Sequence, residues 1–139
     1  MQLNHRENMK AALECRQPKT AVPIWELEFQ AWDNASGRHV ILGEEYMKLS
    51  LGEQEAAINN NAEIMINVSK EMNFSALTMI NSYWEVAPGH PSYYWLPEKD
   101  KKKQNALLQK YCEEAGIMTV GVYGALVTMP GSSDDYTEF

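Results

Sequence analysis

Arginine is scarce. Only Arg6, Arg16 and Arg38 represent it among 12 basic residues, which face 19 acidic ones for a formal net charge of −7. Neutralising phosphates takes a basic face, and arginine is its usual bidentate reader, so nucleic acid is excluded as a partner class. The one basic cluster, Lys99 to Lys103, is interrupted by Asp100 and falls at the expected start of a helix, where it reads as a solvated face. Cysteine is equally sparse. Cys15 and Cys112 lie far apart with no partner motif, which fits a reduced, cytoplasmic setting. No apolar run reaches the roughly 18 residues of a membrane span, and the polar start MQLNHRENMK has no signal-peptide core, so no membrane partner is expected.

Several catalytic signatures are also missing. Gly121, Gly124 and Gly131 lack phosphate-loop spacing and no Lys follows them. Gly-x-Ser-x-Gly does not occur, and neither cysteine has a histidine near it in sequence. His5, His39 and His90 are widely spaced and form no ligand cluster with Cys15 or Cys112, so no metal site is expected. His90, flanked by prolines, is retained as a ligand-contact candidate.

What the chain has in abundance is concentrated in FSALTMINSYWEVAPGHPSYY, residues 74–94. Phe74 to Ile80 reads as a short apolar strand. It runs directly into a loop carrying Asn81, Tyr83, Trp84, Glu85, His90, Tyr93 and Tyr94. A connecting loop needs few aromatics, whereas one that holds a small molecule against a sheet end needs several.

The rest of the chain frames this stretch. Asn4 and Glu7 form a capping-box pattern that opens a helix, with Met9, Ala12 and Leu13 sharing one face and Pro18 closing the segment. Ala21 to Glu26 reads as a strand with Pro23 near its start; Glu26 and Glu28 are acidic residues following a buried segment. Asn34, Ser36 and Gly37 mark a turn, and Gly43 to Leu49 a short helical segment. Ser50 and Glu53 form a second capping box. It opens a long helix to about Met72, with Ala57, Ile58, Ala62, Met65, Val68 and Met72 at helical spacing. A further helix runs from near Pro97 to Ala115, with Gly116 as its C-cap, and Ile117 to Val122 follows as a nearly continuous apolar strand of the type buried on both faces. DDYTEF reads as the first turn of another helix, which suggests an incomplete piece of a longer fold.

Strands separated by helices imply parallel βαβ units, hence an α/β domain. Its 139 residues form a single unit, smaller than the roughly 250 residues of a full (β/α)8 barrel. Three strands leave two open sheet edges, so a homo-oligomer formed through those edges is expected.

Taken together, NHRENMKAAL, VPIWELEF, GEEYMKLS, NAEIM, SYWEVAPGHPSYYWLP and GALVTMPGSSDDYTEF resemble the amino-terminal portion of the uroporphyrinogen decarboxylase superfamily, which also contains methyltransferases acting on methylated corrinoids and on methionine or coenzyme M. The resemblance covers essentially the whole chain and implies the first three βα units of a (β/α)8 TIM-type barrel. In such barrels the reacting groups sit at the C-terminal ends of the strands. The resemblance therefore implies Glu26, Asn81 and Glu85 as catalytic candidates and Trp25, Glu28, Tyr83, Trp84 and Tyr123 as ligand-binding candidates, beside His90 from its proline-flanked loop.

Two departures from the decarboxylase pattern bear on the chemistry. Those enzymes carry an arginine-rich segment after the first strand to neutralise a polycarboxylate substrate; here that segment is ELEFQAWDNASGR, with Arg38 alone. They also place an aspartate after the second strand, where this chain has Asn81 and Ser82, neither of which supplies a full negative charge. The resemblance thus points toward corrinoid-linked methyl transfer, with porphyrinogen decarboxylation as one alternative and a stand-alone small-ligand-binding α/β domain as another. No cofactor is expected in this segment, although the methyltransferase branch implies zinc ligands in its later part. No Asp-x-His-x-x-Gly occurs, so the implied partner is a separate corrinoid protein or another tetrapyrrole-like ligand. The isolated chain is expected to be inactive in either reaction.

Overall fold

Five helices and three strands make up residues 4–26, 31–79 and 96–121, the part of the chain that the computed structural model describes, with Glu26 represented by its backbone. Helix α1 spans His5–Leu13 and strand β1 Ile24–Glu26. Short helices α2 (Trp32–Ser36) and α3 (Gly43–Met47) precede the long α4 (Leu51–Glu71). Strand β2 (Phe74–Thr78), helix α5 (Glu98–Ala115) and strand β3 (Met118–Val120) complete the order. The strands form one parallel sheet in the order β1-β2-β3, so the α/β class and the βαβ units expected from the sequence are present.

Local chemistry explains where the long helices begin and end. Both halves of the Ser50–Glu53 capping box form. The Ser50 backbone N–H donates to Glu53 Oε2 at 2.8 Å, and the bond from the Ser50 hydroxyl is the main reason the Glu53 carboxyl titrates below its usual range. Gly116 ends α5 with φ at +69°, a left-handed conformation that a side chain resists. The lysine run at the start of α5 is neutralised by its neighbours. Lys101 pairs with Glu98 at 2.5 Å and Lys103 reaches Glu55 on α4 at 2.9 Å, as a solvated, charge-balanced face would.

The main core lies on one side of the sheet. Ala62, Ile64, Met65, Ile66 and Val68 of α4 pack with Leu108 and Cys112 of α5, Leu77 of β2 and Ile117 just before β3. A second cluster joins Tyr46 of α3 to Ala57, Ile58 and Leu96. Burial on α4 is wider than the expected stripe: it adds Ile64 and Ile66, while Met72 at the C-cap is exposed. The helix is gripped on several flanks, by α5, by α2 and α3, and by the sheet, so more than one face is apolar.

Buried polar groups tie these layers together. Asn61, fully buried on α4, accepts from the Ile41 backbone N–H at 2.9 Å, donates to the Ile41 carbonyl at 2.9 Å, and donates to Gln104 Oε1 on α5 at 3.0 Å. One amide thereby satisfies both backbone groups of a loop peptide and bridges two helices.

Four local expectations differ from the structure. The buried face of α1 is Asn8, Met9 and Ala11, whereas Ala12 is exposed and Leu13 is 69% exposed. The helix docks through polar bonds near its start, which turns its later residues outward. The first strand is shorter than Ala21 to Glu26, because Pro23 has no N–H to donate to a ladder and Val22 projects into solvent. Residues 32–36 form a helical turn closed by left-handed Gly37. The third strand is only half-buried rather than enclosed on both faces.

Candidate functional site

The two ends of the sheet are chemically different. At the N-terminal end, α1 lies across the strands. The Arg6 backbone N–H donates to the Gly116 carbonyl at 2.7 Å, and the His5 ring nitrogen Nδ1 lies 3.5 Å from the Ser75 hydroxyl. Asn8, buried, donates to Thr20 Oγ1 at 2.6 Å. Ser75 also accepts from the Ile24 backbone N–H at 3.4 Å, where the ladder between β1 and β2 carries an irregularity. This end is covered by a helix whose His5, Arg6 and Asn8 bond to β2 and to the segments that lead into β3 and β1.

At the opposite end the chain leaves all three strands. Trp25 pairs with Ala76 and Thr78 with Val120 across the ladders, and the Met79 backbone N–H donates to the Val120 carbonyl at 2.8 Å. Leu77 points into the core shared by α4 and α5. Side chains alternate along a strand, so Ala76 and Thr78 occupy the other face, and Trp25 joins them there. Its indole Nε1–H donates to Thr78 Oγ1 at 2.9 Å, while the residue is 42% exposed. An aromatic surface held at a fixed angle by a cross-strand hydrogen bond, and still open to solvent, is a ready stacking platform.

Of the residues singled out from the sequence, Trp25 is thus located in the middle of β1, opposite Ala76, with its indole reaching Thr78 at the C-terminal end of β2. Glu26 is the last residue of β1, opposite Leu77, and its side chain lies outside the described residues. Glu28, Asn81, Tyr83, Trp84, Glu85, His90 and Tyr123 also lie outside them. Thr78 was not singled out. Its signal was a hydroxyl at the end of the strand, where the indole of Trp25 needed an acceptor.

Groups whose proton affinity shifts sit on the helical side. Burial pushes the Cys112 thiol up to about 11, which keeps it protonated and unreactive inside α5. Burial, reinforced by the nearby Asp100 carboxylate, pushes the Tyr46 phenol up to about 12. His39 stands between Asp33 and Glu45 and titrates above its ordinary value, chiefly through its hydrogen bond to Glu45.

Zinc finds no home among the described residues. No group of three or more His, Cys, Asp or Glu side chains comes together in a way that would hold a metal ion. Cys15 is exposed after α1 and Cys112 is enclosed in the core. No described helix is long and apolar enough to cross a membrane. Compared with known protein families, with curated proteins and with solved structures, the chain has no significant match in any of the three.

Proposed function

We propose that the chain supplies the first three βα units of a (β/α)8-type enzyme of the uroporphyrinogen decarboxylase superfamily, and that its chemistry is corrinoid-linked methyl transfer. The observation that carries this reading is the asymmetry of the sheet. Three parallel strands run in chain order without reversal, α1 plugs their N-terminal end, and the Trp25–Thr78 pair stands at the C-terminal end, on the face away from α4 and α5. Strands added in sequence order, with their connecting helices in one core, are what a barrel wall requires, and the C-terminal end is where barrels place their chemistry.

Within this reading Trp25, with Tyr83, Trp84, His90 and Tyr123, forms the contact surface for a flat tetrapyrrole-like ring. Glu28 and Glu85 are its polar anchors or proton-transfer groups, and Asn81 stands where a decarboxylase needs a charge. A cluster of carboxylates with little arginine favours a corrinoid over a porphyrinogen rich in acid groups, because like charges disfavour the latter. No step is assigned to zinc.

Isothermal titration with methylcobalamin and, separately, with uroporphyrin tests the proposal. Binding of methylcobalamin but not uroporphyrin is the expected result, with affinity reduced about tenfold, ~1.4 kcal/mol, by Trp25→Ala. Preferential binding of uroporphyrin would favour decarboxylation. Binding of neither would leave the stand-alone α/β domain as the better account. In a version of the protein that turns over substrate, Glu85→Gln should lower kcat; unchanged turnover would remove Glu85 from the site.

A further inference from the structure

The segment between α2 and α3 carries an arrangement that neither the fold nor the proposed site requires. His39 Nδ1 lies 2.5 Å from Asp33 Oδ2 on α2, and Nε2 lies 2.8 Å from Glu45 Oε2 on α3. A neutral imidazole has one N–H, whereas two carboxylates facing its two nitrogens require two donors. The cation is therefore the form that fits. Asp33 is held a second time, since its other oxygen accepts from the Val40 backbone N–H at 3.0 Å. Glu45 lacks such a second anchor among its described hydrogen bonds.

Among the described residues no cation competes for the ring. From α4, Asn60 donates to the His39 carbonyl at 3.0 Å, and Glu63 is engaged by Arg38 at 3.2 Å, whose guanidinium also reaches Asn60. On α3, Glu44 pairs with Lys48 at 4.0 Å. The charges that face the imidazole are thus Asp33 and Glu45.

We propose that His39 is a pH-sensitive latch that ties α3 to α2 and lets go of α3 when its ring loses a proton. The neutral ring keeps its N–H toward Asp33, which Val40 already orients, and turns a lone pair toward Glu45. Attraction becomes repulsion on that side alone. The element loosened is short: α3 has five residues, and its first backbone bond, from the Tyr46 N–H to the Leu42 carbonyl, is 3.4 Å long. Apart from the latch it is held by buried Tyr46 and by Gln54, which donates to the Tyr46 and Leu49 carbonyls. The latch lies on the crossover that leads from β1 to α4.

The direction in pH follows from the contacts. A histidine whose folded value is raised stabilises fully below its ordinary 6.5 and loses that contribution as pH rises through the raised value. Asp33 is also shifted: burial raises its carboxyl, but the bonds to His39 and Val40 outweigh that and hold it below its usual range, so its side of the latch is not what a rise in pH releases.

An NMR titration of the His39 ring, run with amide exchange corrected for intrinsic rates, tests the latch on the whole chain. The expected midpoint lies above 6.5. Across it, protection of the Tyr46, Lys48 and Leu49 amides should fall about twofold to fivefold, as suits one solvent-screened charge contact, while that of Val40 holds. Glu45→Gln should lower the midpoint, and His39→Gln should flatten the α3 profile. A midpoint at or below 6.5, or α3 protection that ignores the titration, would overturn the proposal.

Discussion

Asn61 joins three parts of the molecule through one amide, and removing it leaves the backbone N–H and carbonyl of Ile41 and the side chain of Gln104 without those partners. Stranded polar groups in a buried setting cost more than the bonds themselves contribute. Asn61→Ala is accordingly expected to destabilise the fold by ~2–4 kcal/mol, read as a lowered urea midpoint with an unchanged slope. The Trp25–Thr78 bond is more exposed and smaller in effect. A double-mutant cycle with Trp25→Phe and Thr78→Val should return a coupling of about 0.5–1.5 kcal/mol, and a coupling near zero would remove the fixed orientation argued for the indole. At this scale the sequence was only partly legible. Trp25 stood out only through the family resemblance, which put it in a first strand leading to the site. Asn61 and Thr78 did not, because a buried amide and a terminal hydroxyl acquire meaning only from partners 20 and 53 residues away.

The elements that read most clearly were those with strong local punctuation. Helix α4 begins where Ser50 and Glu53 form their box, and α5 ends at Gly116, whose left-handed φ is set by the cap rather than by crowding, since nothing lies within 4 Å of where a Cβ would stand. Gly116→Ala should therefore cost ~1–2 kcal/mol through backbone strain alone. Leu108, fully buried where α5 meets α4, should cost ~2–5 kcal/mol when cut to Ala, the range of methylene loss plus an unfilled cavity. Thermal unfolding of both variants checks the two magnitudes. Elements without punctuation were harder to read. Helix α2 is five residues long, too short for periodicity, and the turn expected around Asn34 to Gly37 overlaps it. In α1 the apolar residues suggested one face, but docking through Asn8 and the Arg6 backbone selected another.

For the molecule as a whole, alternation of helical and extended patterns led directly to a parallel sheet, because parallel neighbours require a crossover. Strand length was overestimated, since burial on both faces needs covering layers that local composition does not specify. The strand β1 has one partner among the described residues, and its first residue, Ile24, is 46% exposed. An apolar open edge favours pairing between copies. Sedimentation should show concentration-dependent self-association that Ile24→Lys shifts toward monomer, whereas a monodisperse monomer with a sharp thermal transition would speak for a self-sufficient domain and against a barrel segment.

The central claim is that the C-terminal end of this sheet meets a corrinoid-like ligand while α1 seals the other end. Hydrogen exchange with and without methylcobalamin reads both ends at once. Slower exchange at Trp25, Glu26 and Met79, with Arg6 and Ser75 unchanged, is the predicted result. Protection centred on Arg6 and Ser75, or no change at either end, would contradict it.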